Sequence, residues 1–180
     1  MQAQHPIFIL TLLAAFASLL GAKDANGTKK DADAPLKTEA AQTKELNFKN
    51  LAGFKYEYPY EEPKGKPWEL KEQFDKRVPE HIRKLNGSNI LLKGFMLPVE
   101  TKKDRVTTFL LMPDQQACCF GRVPEPNEWV VVDMLPKDGG PILMDQLVEI
   151  DGQLEVQEKW EDGFFVGIYH VEANAVKKSE

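Results

Sequence analysis

Residues 88–112 read SNILLKGFMLPVETKKDRVTTFLLM, and their reading decides the fold class. Ser88 to Pro98 is apolar on both faces and carries Gly94 at its middle, and after a Lys-Asp turn Val106 to Met112 (VTTFLLM) begins a second apolar run. Runs of this length, rich in β-branched and aromatic residues and bounded by turn residues, predict strands. Three more follow: Trp129 to Met134 (WVVVDM), Leu147 to Val156 (LVEIDGQLEV) and Phe164 to Ala173 (FFVGIYHVEA), separated by Asp-Gly-Gly and Glu-Asp-Gly turns. Gly94, Gly152 and Gly167 lie inside their runs, where strands of a closed sheet bend. The expected fold is mainly β: a small five-stranded antiparallel barrel of the oligonucleotide/oligosaccharide-binding (OB) type, its core over residues 86–176.

Upstream of this core the pattern changes. Leu70, Phe74 and Val78 recur at helical spacing with charges between them, so Trp68 to Val78 predicts a helix; Pro79 ends it and opens a second short turn through Ile82 and Leu85. Asn86-Gly87 reads as a turn. Phe54, Tyr56 and Tyr58 alternate in an extended segment expected to pack on the core. The single domain is thus expected over residues 46–180, with one or two short helices before its strands. Residues 23–45 hold five charges of each sign and almost nothing apolar, the composition of a disordered linker. Ile7 to Leu20 (IFILTLLAAFASLL) is too short to span a bilayer comfortably but suits a signal-peptide core, and Gly21 and Ala22 supply small residues for cleavage. Residues 1–22 are therefore read as a signal peptide. An uncleaved signal would act as an anchor; otherwise no stable membrane anchor is expected, because Ala22 stands where a lipoprotein carries its Cys.

All Lys, Arg, Asp and Glu residues lie after Ala22, and the net charge is −5. Between Glu125 and Asp162 eleven acids face only Lys137 and Lys159. Such a surface repels phosphate backbones and anionic headgroups, so no nucleic-acid partner is expected. The sequence has no Gly-x-Ser-x-Gly, no phosphate-cradling glycine loop, no His-Glu-x-x-His and no singled-out carboxylate pair, so no catalytic residue is assigned.

Residues 113–128 (PDQQACCFGRVPEPNE) form a long connection between two strands, of a length that is often functional. They hold the chain's two cysteines, Cys118 and Cys119. Adjacent Cα atoms sit about 3.8 Å apart, below the roughly 4.4 Å minimum usual for a disulfide, so the pair is a poor staple. Three readings stay open: two small buried hydrophobes, a redox or mixed-disulfide site, or a soft-metal (zinc or copper) site drawing on His170 or His81. Arg122 is the nearby cation that would lower a thiol pKa, opposed by neighbouring acids and by Phe120. Pro124, Pro126 and Asn127 complete the loop. No cofactor is expected.

Leu91 to Glu100 (LLKGFMLPVE), Phe109 to Pro113, the segment ACCFGRVPEPNEWV and the Gly167-Ile168-Tyr169-His170 stretch together resemble a family of uncharacterised exported proteins of Gram-negative and related bacteria, a domain of unknown function. The resemblance implies that the family's Cys falls on Cys118 and its Asn on Asn127, while its His falls on Phe120, a departure at the residue that would best support a metal. It further implies an envelope accessory protein, some relatives lying beside ABC-transporter components. The expected function is a periplasmic, non-enzymatic binding or accessory module with a protein partner in the envelope. The alternatives are a thiol-dependent redox or soft-metal protein using Cys118 and Cys119, and a purely structural envelope protein.

Overall fold

The computed structural model describes residues 42–57, 59–115 and 123–180. Among these residues seven strands and three helices follow in the order β1 (Lys44–Leu46), α1 (Phe48–Leu51), α2 (Pro67–Arg77), α3 (Glu80–Arg83), β2 (Asn89–Lys102), β3 (Arg105–Met112), β4 (Val130–Met134), β5 (Gly140–Pro141), β6 (Leu147–Glu161) and β7 (Phe164–Lys178). Among the described residues no helix is long and apolar enough to cross a membrane. Residues 1–22 and most of 23–45 lie outside the described residues, whereas Lys44 and Glu45 pair with β2.

The strands share one sheet in the order β1-β2-β6-β7-β4-β3-β5, and β2 also pairs with β3, so β2, β3, β4, β7 and β6 form a ring. Two parts of the sequence expectation are corrected. The sheet has seven strands rather than five, because β1 and β5, three and two residues long, are too short to show a period. It is also mixed rather than antiparallel: β4 runs parallel to β7 from Val131↔His170 to Met134↔Ala173, and β1 parallel to β2. The chain passes β5 and all of β6 between β4 and β7, a crossover of the length parallel neighbours require.

β2 serves two neighbours in succession. Its first half pairs with β6 (Asn89↔Gln153 to Phe95↔Leu147) and its second with β3 (Phe95↔Met112 to Lys102↔Arg105). The exchange happens at Gly94, where a Cβ would lie 2.6 Å from the Met112 carbonyl oxygen; only a residue without a side chain lets the strands approach this closely. Gly152 plays the same part on β6, where a Cβ would fall 2.3 Å from the Glu172 carbonyl oxygen beside a register shift.

Inward residues alternate along the strands. On β6 Val148, Ile150, Leu154 and Val156 are buried while their neighbours are not, and they join Ile90, Leu92, Phe109, Leu111, Val130, Val132 and Val171 in one core. Burying each such side chain stabilises the fold by about 1.5–3 kcal/mol. Phe48 and Leu51 of α1, with Val78 and Ile82, belong to the same cluster, and the Tyr169 hydroxyl donates to the Leu51 carbonyl at 2.8 Å. α2 begins with Pro67, whose lack of an N–H suits a first helical turn, and ends where Pro79 forces Val78 into extended backbone. Its apolar stripe is only half covered: no residue of α2 is fully buried, and Phe74 packs against the core only in part.

Candidate functional site

That half-covered stripe forms one wall of a cleft of about 730 Å³ between α2–α3 and the end of β6. Pro63, Pro67, Leu70 and Phe74 line it from one side; Val156, Gln157, Glu158 and Trp160 line it from the other, with Asn86 and Arg83 at its end.

One lining residue, Glu158, belongs to a polar network between segments far apart in sequence. Arg77, the last residue of α2, grips Glu158 with two charge-assisted bonds, Nε to Oε1 at 2.7 Å and Nη2 to Oε2 at 2.8 Å. The Tyr56 hydroxyl donates to the same Oε1 at 2.6 Å. Burial, reinforced by the Glu158 carboxylate, pushes the Tyr56 hydroxyl well above the usual phenol range, and the bonds to Glu158 raise Arg77 further. Neither Tyr56 nor Arg77 changes protonation near neutrality. Two outer carboxylates of the cleft are paired as well: Asp75 with Lys71 at 2.6 Å and with Arg83 at 3.1 Å, and Glu80 with Lys84 at 2.8 Å. The Lys71 ammonium, followed by Arg83, holds Asp75 below the usual carboxylate range.

Beneath the network lies an aromatic cluster centred on Phe165. Tyr56 stacks on it at 6.2 Å, and Trp160 and Trp129 meet it edge-on at 5.3 and 6.5 Å. Val166 is an extra residue of β7 opposite Lys159–Trp160, and Trp129 donates its indole N–H to the carbonyl freed there, at 3.0 Å. Trp160 differs: its indole N–H is buried and has no hydrogen-bond partner among the described residues. A buried donor without an acceptor costs about 1–3 kcal/mol, and native proteins keep few.

Of the sequence candidates, Cys118, Cys119, Phe120 and Arg122 lie outside the described residues. Pro124 is half-buried and Asn127 is buried, its side-chain amide donating to the Phe54 carbonyl at 2.6 Å. Asn127 thus ties the stem of the cysteine loop to the strap that carries Tyr56. His170 is buried on the outer face of the sheet, in a separate groove of about 310 Å³ with Asp133, Glu155, Lys159 and Glu172. Burial, assisted by Lys159, lowers its pKa to about 4, against the opposing pull of the Gly167 carbonyl, Glu155 and Asp133, so it is neutral at pH 7. His81 is exposed on α3. Among the described residues no three His, Cys, Asp or Glu side chains are grouped to hold a metal ion.

Sequence reasoning missed Arg77, Glu158 and Trp160. Arg77 and Glu158 stand 81 positions apart, and each reads alone as an ordinary surface charge.

A family model described as "Protein of unknown function (DUF3299)" matches residues 26–178. No curated protein matches the chain. A DUF3299 family protein from Pseudomonas aeruginosa PAO1, known from its crystal structure, superposes with a TM-score of 0.53 over 77% of this chain and 97% of that one, at 22% identity. That likeness speaks for the fold alone.

Proposed function

We infer that this chain, which belongs to the DUF3299 family of proteins of unknown function, is a non-catalytic binding module whose seat is the cleft between α2–α3 and β6. The observation that carries the inference is Trp160: it lines a cleft of ligand size that is apolar on α2, and its buried indole N–H is a donor that no described residue satisfies. A ligand carbonyl, reaching it directly or through one water, would supply the missing acceptor.

The ring order β2-β3-β4-β7-β6 supports a finer assignment of the fold to the OB type, with β4 and β7, the third and fifth ring strands in chain order, as the parallel pair. The apolar run Ile7–Leu20 supports export and a place in the cell envelope, and the acidic stretch from Glu125 to Asp162 supports a protein partner there rather than nucleic acid.

The test is a titration of the full chain, 15N-labelled at its three Trp indoles, with a panel of N-acetyl amino-acid methylamides. The Trp160 resonance moves while those of Trp68 and Trp129 stay, and Trp160→Phe, which keeps a ring but loses the donor, weakens binding. A response at the exposed Trp68 alone, or none at all, sinks the assignment. Rapid alkylation of Cys118 or Cys119 at neutral pH, or stoichiometric zinc or copper held by the purified chain, would move it to the thiol-dependent alternative.

A further inference from the structure

Building on the binding-module reading, we infer that the cleft takes an extended peptide segment of a partner protein, which adds to β6 as a short strand. Val156, Gln157, Glu158 and Trp160 all border the one cleft. One extra residue of β6 lies between Val156 and Lys159, so the strand's alternation is broken along this stretch and neighbouring residues border the same cavity, beside the strand's edge.

That edge is open. β2 pairs with β6 only as far as Gln153. The turn before β2 then covers two residues more: Gly87 N–H bonds to the Leu154 carbonyl at 2.7 Å, Leu154 N–H to the Ser88 carbonyl at 2.9 Å, and Val156 N–H to the Asn86 side chain at 2.8 Å. From Gln157 to Glu161, β7 is the only strand among the described residues that pairs with β6. Five residues of edge accept a segment about 16 Å long.

The facing wall fits a strand. Leu70 and Phe74 are one helical turn apart, about 6 Å, close to the roughly 6.6 Å between alternate side chains of an extended chain. Asp75 is paired with Lys71 and Arg83, Glu80 with Lys84 and Glu158 with Arg77, so along these walls recognition falls to backbone hydrogen bonds and apolar side chains. A groove between a strand edge and a helix is the setting in which peptides bind by strand addition. The extra residue of β6 between Val156 and Lys159 twists the edge, which keeps a long flat strand from pairing there and limits the site to a short segment.

The experiment selects binders to the full chain from a displayed library of linear heptapeptides, then N-methylates each binder one amide at a time. Strand addition gives a two-residue rhythm: methylation at alternate positions weakens binding about tenfold while the positions between tolerate it. Backbone resonances of residues 157–161 shift, and Leu70→Asp, at a half-buried site of α2, loses binding with the melting temperature kept. Uniform tolerance, or a rhythm of three to four residues, overturns the inference. So does the absence of any peptide binder while methylamides still move the Trp160 indole, an outcome that leaves the binding-module reading standing. If the methylamides fail too, both fall.

Discussion

The two halves of β6 are one continuous strand under opposite conditions. From Leu147 to Gln153 it lies between β2 and β7, its inward positions alternate strictly, and Gly152 lets the neighbouring backbone come close. Beyond Val156 the alternation stops, β2 is gone, the register with β7 slips twice, and polar and aromatic side chains replace aliphatic ones. The first half is held by burial, the second by a carboxylate, a guanidinium, a hydroxyl and an aromatic cluster. A strand that outruns its partner leaves backbone and side chains available to something else. That is where the cleft is.

The largest effect sharpens the account of the first half. Ile150→Ala empties a position with no solvent exposure and should cost about 4 kcal/mol in chemical denaturation, since little around it can collapse. A loss below about 1 kcal/mol would mean that this half is not the packed one. Next comes the polar half. Glu158→Ala leaves Arg77 and the Tyr56 hydroxyl without their acceptor and should cost about 3 kcal/mol, with Glu158→Gln recovering part of it. A neutral result would show the network to be ornamental.

A pH effect follows from His170, which pairs with Glu155 across the two strands. Its folded pKa of about 4 lies below the unfolded value of 6.5, so only the unfolded chain takes up a proton between them. The stability that neutral His170 contributes is complete above pH 6.5, declines as pH falls toward 4, and changes no further below that. The decline reaches at most about 3 kcal/mol. Comparing pH-dependent denaturation with His170→Asn isolates it from the carboxylates; identical curves would show that His170 charges freely. The smallest effect belongs to the open edge. Gln157 is exposed and bordered by the cleft, so Gln157→Ala should change stability by less than about 0.5 kcal/mol. A larger loss would reveal a contact that closes the edge.

Much of the fold was legible because strands announce themselves locally. The five apolar runs became β2, β3, β4, β6 and β7, and Leu70–Phe74–Val78 marked α2, since period and turn chemistry are properties of a few adjacent residues. β6 and β7 ran past their expected ends at Val156 and Ala173 because their last residues are held by each other rather than by an apolar pattern of their own. Of the loop candidates, Asn127 was legible as a residue but not as a role: its partner is the Phe54 carbonyl, 73 positions away.

By itself, then, the sequence determined a mainly β protein with short helices ahead of its strands, because hydrophobic periodicity and glycine breaks are written residue by residue. Only the tertiary structure decided that β4 lies parallel to β7, that the pairing of β2 with β6 reaches no further than Gln153, and that Arg77 and Tyr56 meet at Glu158, which lines a cleft together with Trp160. The reason is physical. A strand's period says which side chains face inward and nothing about which neighbour lies beside it, and a pair such as Arg77 and Glu158 becomes a site only when closure of the ring brings distant segments within hydrogen-bonding reach and removes the water between them.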